Sequence, residues 1–370
     1  MTTDKLGLYV HIPYCVRKCN YCDFCSLPRG VIGVPDEYVE RLCSEIESYH
    51  GRVTEPLDTV YFGGGTPSLL SAVQMEKIFS SIRKSFVISA NAEITFEANP
   101  GTLTREKAEA FYSLGFNRAS IGLQSIHEKE MKKLGRIHTY EDFLLCYRAL
   151  REVGFDNVSV DLMYGIPYQT NESFAESVRS VVALSPEHVS AYGLMVEEGT
   201  PFYNESDLPL PTLDEECDMY DIARGILAEA GYEHYEISNY AKADRRSRHN
   251  SLYWHLSEYI GVGAAAHSFF DGKRFFNTDS VEEYIAGAPV EFIGESDVDL
   301  EYEYAMLALR LKDGLSLCEY EARFGKSFLS GKESVIARLS DEGLLTLSDG
   351  RIALTERGFY LSNAILVEIL

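Results

Sequence analysis

Over roughly its first 230 residues the chain repeats one unit: a short apolar run, a polar turn, then a longer stretch with helical periodicity. The apolar runs fall at 8–12, 59–63, 93–98, 118–123, 158–163 and 188–194, and their length and flanking turns read as strands. Between them Asp36 is placed to cap a helix carrying Tyr38, Leu42, Ile46 and Tyr49 on one face. Thr104 opens another helix, Thr139 with Asp142 a third, and 214–230 reads as helix with Gly231 as its stop. Alternating strands and helices imply an α/β fold with a parallel sheet and right-handed crossovers. Six units are too few to close an eightfold barrel. The expected architecture for residues 1–240 is therefore an open, partial (β/α)6 barrel, with ligands at the carboxyl ends of its strands.

Beyond Tyr240 the pattern weakens, and 241–298 reads as an irregular connecting segment with aromatic and Gly-rich stretches. From Asp299 onward a small helical module is expected. It comprises a helix at 300–311, one introduced by the Ser316-x-x-Glu319 capping box, a third at 333–342, and a last one running to Leu370. A hairpin at 345–348 and 351–354, turned by Asp349-Gly350, precedes that last helix. Helices with a small hairpin suggest a winged-helix-like α+β domain over 299–370. Eleven acidic against eight basic side chains in 301–370 make it a packing or docking module rather than a DNA-binding one.

The formal charge of −23 argues against nucleic acid as a main partner of the whole chain. Neither a signal peptide nor a run of about eighteen apolar residues is present, so a cytoplasmic protein without a transmembrane segment is expected; peripheral membrane contact stays open. Eight cysteines are distributed unevenly. Cys15, Cys19, Cys22 and Cys25 are clustered, whereas Cys43, Cys146, Cys217 and Cys318 are scattered, which suits a metal site in a reducing compartment better than a disulfide framework. By spacing alone the cluster suits structural zinc, a fully ligated electron-transfer centre, or a 4Fe–4S cube held by three thiolates.

Polar residues recur near the carboxyl ends of successive strands. Gly63-Gly64-Gly65-Thr66-Pro67 follows the second strand, Glu97 ends the third, Gln124 ends the fourth, Asp161 lies in the fifth, and Arg136 follows the fourth in Leu134-Gly-Arg-Ile-His138. Each alone reads as an ordinary strand-end hydrogen bonder. Together, carboxylates, an amide, a guanidinium and a glycine turn suit a zwitterionic ligand with an amine, a carboxylate and a ribose. A basic run, Lys242, Arg245, Arg246 and Arg248, stands just before His249 and reads either as a solvated turn or as a site for a carboxylated ligand.

These motifs resemble those of the radical S-adenosylmethionine (SAM) superfamily, and within it the oxygen-independent coproporphyrinogen III oxidase-like branch. The likeness covers nearly the whole chain. It rests on Tyr9-Val-His-Ile-Pro13, the cysteine loop and the segments 63–68, 97–100, 120–125 and 161–167. The resemblance implies that Cys15, Cys19 and Cys22 ligate three irons of a 4Fe–4S cluster and that SAM chelates the fourth. It implies SAM contacts from Tyr9, Tyr21, Gly64, Gly65, Thr66, Glu97, Gln124, Arg136 and Asp161. Members of this superfamily cleave SAM reductively to a 5′-deoxyadenosyl radical, with an electron from a reduced flavodoxin- or ferredoxin-type donor.

The branch holds oxidases that decarboxylate porphyrinogen propionates and HemW proteins that look like haem chaperones delivering haem to client proteins. The oxidases carry a further cysteine at the position of Phe24; this chain instead has Cys25, where HemW proteins commonly have asparagine. His249-Asn250-Ser-Leu-Tyr253-Trp254 is similar to the HemW His-Asn-x-x-Tyr-Trp motif, which implies haem near His249, Asn250, Tyr253 and Trp254. Arg245, Arg246 and Arg248 are then expected on the haem propionates. Only eight residues precede Tyr9, shorter than the oxidases' leading segment. The expected function is a HemW-like haem chaperone, with porphyrinogen oxidation as the alternative. Whether the chain is itself an enzyme stays open; if so, it is expected to be a coproporphyrinogen dehydrogenase-type oxidoreductase.

Overall fold

The computed structural model describes residues 5–294 and 298–370. The six expected strands form, each within a few residues of its predicted ends: β1 (Leu6–Ile12), β2 (Leu57–Gly64), β3 (Ile88–Ala98), β4 (Arg118–Gln124), β5 (Val158–Tyr164) and β6 (His188–Gly193). They pair in parallel and in sequence order. Alternate residues divide between the helix-covered outside and the lumen. In β1, Leu8 and Val10 join the main apolar core, whereas Tyr9 and His11 line a cleft.

The crossover helices are cut where the sequence supplies caps. Ser71 with Gln74, Thr139 with Asp142, Thr170 with Ser173 and Thr212 with Glu215 all form capping boxes. Thr104 caps its helix by accepting from the Lys107 amide. Asp36 is not a cap. The first helix, Asp36–Ser48, begins after Pro35, whose fixed φ of −64° presets the entry, and the Asp36 carboxylate instead accepts from the Gln74 side chain.

The described residues of 241–298 are not irregular, and added strands begin even before them. Two antiparallel strands, β7 (Glu233–Glu236) and β8 (Asn239–Ala241), extend the sheet beyond β6. The helix Arg248–Trp254 follows, and then β9 (Tyr259–Val262) lies parallel to β1 on the opposite side from β2. β10 (His267–Phe270), β11 (Lys273–Phe276) and β12 (Glu291–Phe292) continue outward antiparallel. The sheet order is β12-β11-β10-β9-β1-β2-β3-β4-β5-β6-β8-β7. Strands of two to four residues carry too little alternation to be read from sequence, so the extension is not legible there.

One buried carboxylate ties the extension to the barrel. Glu45 accepts from the Gly263 amide at 3.0 Å, from the Asn277 amide at 2.8 Å and from the Tyr284 hydroxyl. Removing it strands three buried donors, so Glu45→Ala is expected to destabilise the fold by about 2 kcal/mol or more, read as a lowered denaturation midpoint.

The C-terminal module matches expectation with small shifts. Its helices are Leu300–Ala308, Leu317–Phe324, Glu333–Asp341, Glu356–Tyr360 and Ser362–Ile369. The hairpin of β14 (Leu345–Ser348) and β15 (Arg351–Leu354) turns on Asp349 and Gly350, both at positive φ, and β13 (Leu315–Ser316) adds a third strand. Ser316 caps its helix, but the reciprocal Glu319 contact of a full box is replaced by a bond from Tyr304. The module packs its core on Leu256 and Phe269, and Arg310 lies 5.2 Å over the Trp254 ring.

Candidate functional site

A cavity of about 520 Å³ opens at the carboxyl ends of the parallel strands. The loop after β1 forms one wall. A two-residue parallel pairing, Tyr14–Cys15 with Leu27–Pro28, closes its base. Cys15, Cys19 and Cys22 all line the cavity. Thr66 donates to the Cys15 sulfur at 3.4 Å, Arg136 approaches the Cys19 sulfur at 3.7 Å, and the Cys22 amide bonds to the Cys19 carbonyl. Burial raises the Cys15 and Cys22 thiols above their ordinary value, so both are neutral until a metal replaces the proton. Cys25 faces elsewhere. Its thiol donates to the Asp279 carbonyl at 3.2 Å and it lines a neighbouring cleft.

Gly65 explains the need for a glycine turn opposite this loop. A Cβ there would stand 2.7 Å from the backbone of Tyr14, so the turn and the cysteine loop could not approach as they do. Gly64 has a φ of +106° and gives its amide to Glu97 at 3.2 Å. Glu97 also accepts from the Tyr61 hydroxyl at 2.7 Å, yet burial still pushes its carboxyl up to about 7. Gln124 sits at positive φ with its side-chain carbonyl taken by the Tyr192 hydroxyl. Arg136 is anchored to the Gly122 carbonyl and leaves its buried Nε without a partner. Asp161 accepts from Ser120 at 3.2 Å, and burial raises its carboxyl as well.

Eight of the nine residues expected to contact SAM thus meet the three cysteines in one cavity. Tyr9 is the exception. It bonds to His11 at 2.9 Å and faces the neighbouring cleft. The donor set fits a 4Fe–4S cluster with SAM: thiols on one wall, the Glu97 carboxyl and the glycine turn opposite, and an orphaned guanidinium nitrogen between. Among the described residues no three His, Cys, Asp or Glu side chains converge on one point as a single metal ion requires. A cube instead takes each sulfur at a different iron.

Asn99, Arg118 and Tyr192 also line the cavity and were not picked out from the sequence. Asn99 donates to Thr66 at 2.8 Å and so orients the hydroxyl that faces Cys15. A period-two reading of β4 finds Arg118, because Arg118, Ser120 and Gly122 alternate onto the lumen face.

The His249 motif closes the barrel from its other end. His249 is 1% exposed, and both ring nitrogens are occupied: Nδ1 by Thr59 at 2.7 Å and Nε2 by the Tyr253 hydroxyl at 2.8 Å. Its ring stacks on Tyr61 and Tyr9, and burial depresses its pKa to about 3. Asn250 reaches the floor of the main cavity, while Tyr253 faces the cleft. Trp254 lies under Arg310. The three arginines do not join this group. Arg245 pairs with Asp156 at 3.2 Å, Arg246 with Glu233 at 2.6 Å and Asp313 at 3.1 Å, and Arg248 bonds the Asn91 carbonyl at 2.5 Å. Asp156 and Asn91 lie at the amino ends of the strands, so these guanidinium groups point away from the cavity mouth.

Residues 9–181 match the family model of the radical SAM superfamily, and residues 299–361 that of the HemN C-terminal domain. The chain is 36% identical to the heme chaperone HemW of Lactococcus lactis subsp. lactis, over 98% of this chain and 96% of that protein. It is 36% identical to the heme chaperone HemW of Bacillus subtilis, with 96% and 97% covered, and 35% identical to that of Escherichia coli, with 98% and 97% covered. Coproporphyrinogen III oxidase (HemN) from Escherichia coli superposes with a TM-score of 0.84 at 22% identity, covering 99% of this chain and 90% of that one, and shows the same fold. Radical SAM membership implies a 4Fe–4S cluster and SAM, for which the cavity supplies a fitting donor set. With such identity sustained from end to end, the chain belongs to the HemW family of radical SAM proteins.

Proposed function

We propose that this protein is a haem chaperone that binds haem and passes it to client proteins, and that it carries a SAM-linked 4Fe–4S cluster. The full-length similarity to heme chaperones carries the reading. Cys15, Cys19 and Cys22 hold the cluster, leaving one iron for SAM. Glu97 and the Gly64 turn receive the SAM amine, Arg136 its carboxylate, and Asp161 its ribose. When bound, the cluster supplies a one-electron reductant next to the sulfonium; the protein orients SAM and excludes water around it. Exposed Arg17 and neighbouring Lys18 at the cavity rim give a reduced flavodoxin- or ferredoxin-type donor a basic face to approach. The reducing cytoplasm suits eight free cysteines.

The test uses anaerobically reconstituted protein. Haem should bind in saturable 1:1 fashion and move to an apo client, followed by absorbance. Multiple turnovers of coproporphyrinogen III to carbon dioxide and a decarboxylated porphyrinogen, with SAM and reductant, would overturn the chaperone reading in favour of the oxidase.

A further inference from the structure

Beside the main cavity lies a second cleft of about 490 Å³, separated from it by Gly64 and Glu97. The cluster loop contributes Phe24 and Cys25, β1 contributes Tyr9, the His249 motif contributes Tyr253, and the β9–β10 extension contributes Tyr259 and His267. Four aromatic rings around one opening make a wall suited to a flat apolar macrocycle. Phe24 is 61% exposed at the rim, a costly position for phenylalanine unless something covers it.

The histidines divide sharply here. Of the nine in the chain, eight have at least one ring nitrogen bonded to protein. His11 and His249, the two nearest the cleft's inner wall, have both nitrogens taken and are almost wholly buried. His267 differs. Its ring is exposed, stacks on Phe276 at 5.1 Å, and among the described residues has no hydrogen-bond partner on either nitrogen. Burial and Arg274 lower its pKa, so at neutral pH it presents an unprotonated imidazole with a free lone pair. Cys25, the other metal-seeking group in the cleft, is held as a protonated thiol by burial and by its bond to Asp279.

We propose that this cleft is the haem site and that His267, rather than His249, is the axial ligand to the haem iron. The ring of the macrocycle lies against Tyr253, Tyr259 and Phe24. His249 is then a positioning residue: its Nε2 bond fixes the Tyr253 hydroxyl and thereby the wall. This assignment explains why a motif whose histidine is sealed inside the barrel is nonetheless attached to a ligand-sized opening. It rests on the haem reading above.

The experiment titrates haem into the full-length protein and its variants, recording the Soret band and the EPR of the ferric complex. His267→Ala is expected to weaken binding by about tenfold or more and to shift both spectra, with added imidazole restoring the wild-type signature. His249→Asn and Tyr253→Ala should weaken binding while leaving the iron-ligand signature in place. Cys25→Ser should leave the iron-ligand signature in place. Wild-type binding with an unaltered Soret band and EPR in His267→Ala would overturn this assignment alone, as would a ligand shift in His249→Asn or Cys25→Ser. Failure of the wild type to bind haem at all would instead defeat the chaperone reading.

Discussion

Serine at Cys15, Cys19 or Cys22 is expected to abolish cluster assembly, whereas serine at Cys25 should leave iron and sulfide content unchanged. The first three line the SAM-sized cavity, two of them already met by donors from across it, Thr66 for Cys15 and Arg136 for Cys19. Cys25 is turned into the adjacent cleft and bonded to Asp279. Because metal replaces the thiol proton, the burial that raises Cys15 and Cys22 in the metal-free protein makes the site proton-loaded, and cluster assembly is expected to slow as pH falls. Iron analysis and the EPR of the dithionite-reduced protein decide the division. Addition of SAM should perturb the spectrum of the wild type and of Cys25→Ser equally. Full iron content in any one of the three variants, or loss of the SAM response in Cys25→Ser, would show that the fourth cysteine is a ligand after all.

Glu97 is the second point of high leverage. Its carboxyl is raised to about 7 from an ordinary 4.5, equivalent to roughly 3 kcal/mol of preference for the neutral form inside the barrel. The sign follows directly. A group whose pKa is higher folded than unfolded favours the folded state below the unfolded value, and that contribution is lost as pH rises through about 7. An iron-bound amine placed against Glu97 reverses the preference, because its N–H groups, polarised by the metal, need a charged acceptor. SAM affinity of the cluster-loaded protein is therefore expected to climb between about pH 6 and pH 8 and then level off. Glu97→Gln keeps the shape but not the charge, and should weaken SAM by about 100-fold, near 3 kcal/mol, with the pH dependence flattened. Anaerobic calorimetry across that range measures both effects. A wild-type affinity that falls with pH, or a Gln variant that binds as tightly, would show that the amine does not rest on Glu97.

The legibility of the chain tracks how local each signal is. The six strands and the capped helices could be read because alternation and caps are written within a dozen residues. So could the convergence of Glu97, Gln124, Arg136 and Asp161, since a parallel sheet brings equivalent strand ends together whatever its details. The failures are all long-range. Nothing near residue 259 announces that it will pair with Gly7, and nothing near Arg245 announces Asp156. A histidine between two rings and a threonine reads in sequence much like one awaiting iron. Only the fold shows that both His249 ring nitrogens are occupied while those of His267 have no hydrogen-bond partner among the described residues.

The position of β9 bears on how the molecule is made. The first strand of the chain is an interior strand of the finished sheet, and one of its two neighbours lies some 250 residues downstream, with Gly7 paired to Tyr259. During synthesis β1 can pair with β2 early, but its other edge stays uncovered until residues 259–262 have left the ribosome. The cysteine loop is the direct continuation of that strand, and the opposite wall of the cleft beside the main cavity belongs to the late-arriving extension. The main cavity and the cleft beside it therefore both depend on a strand pairing that forms late, so neither is complete until the sheet has closed around β1.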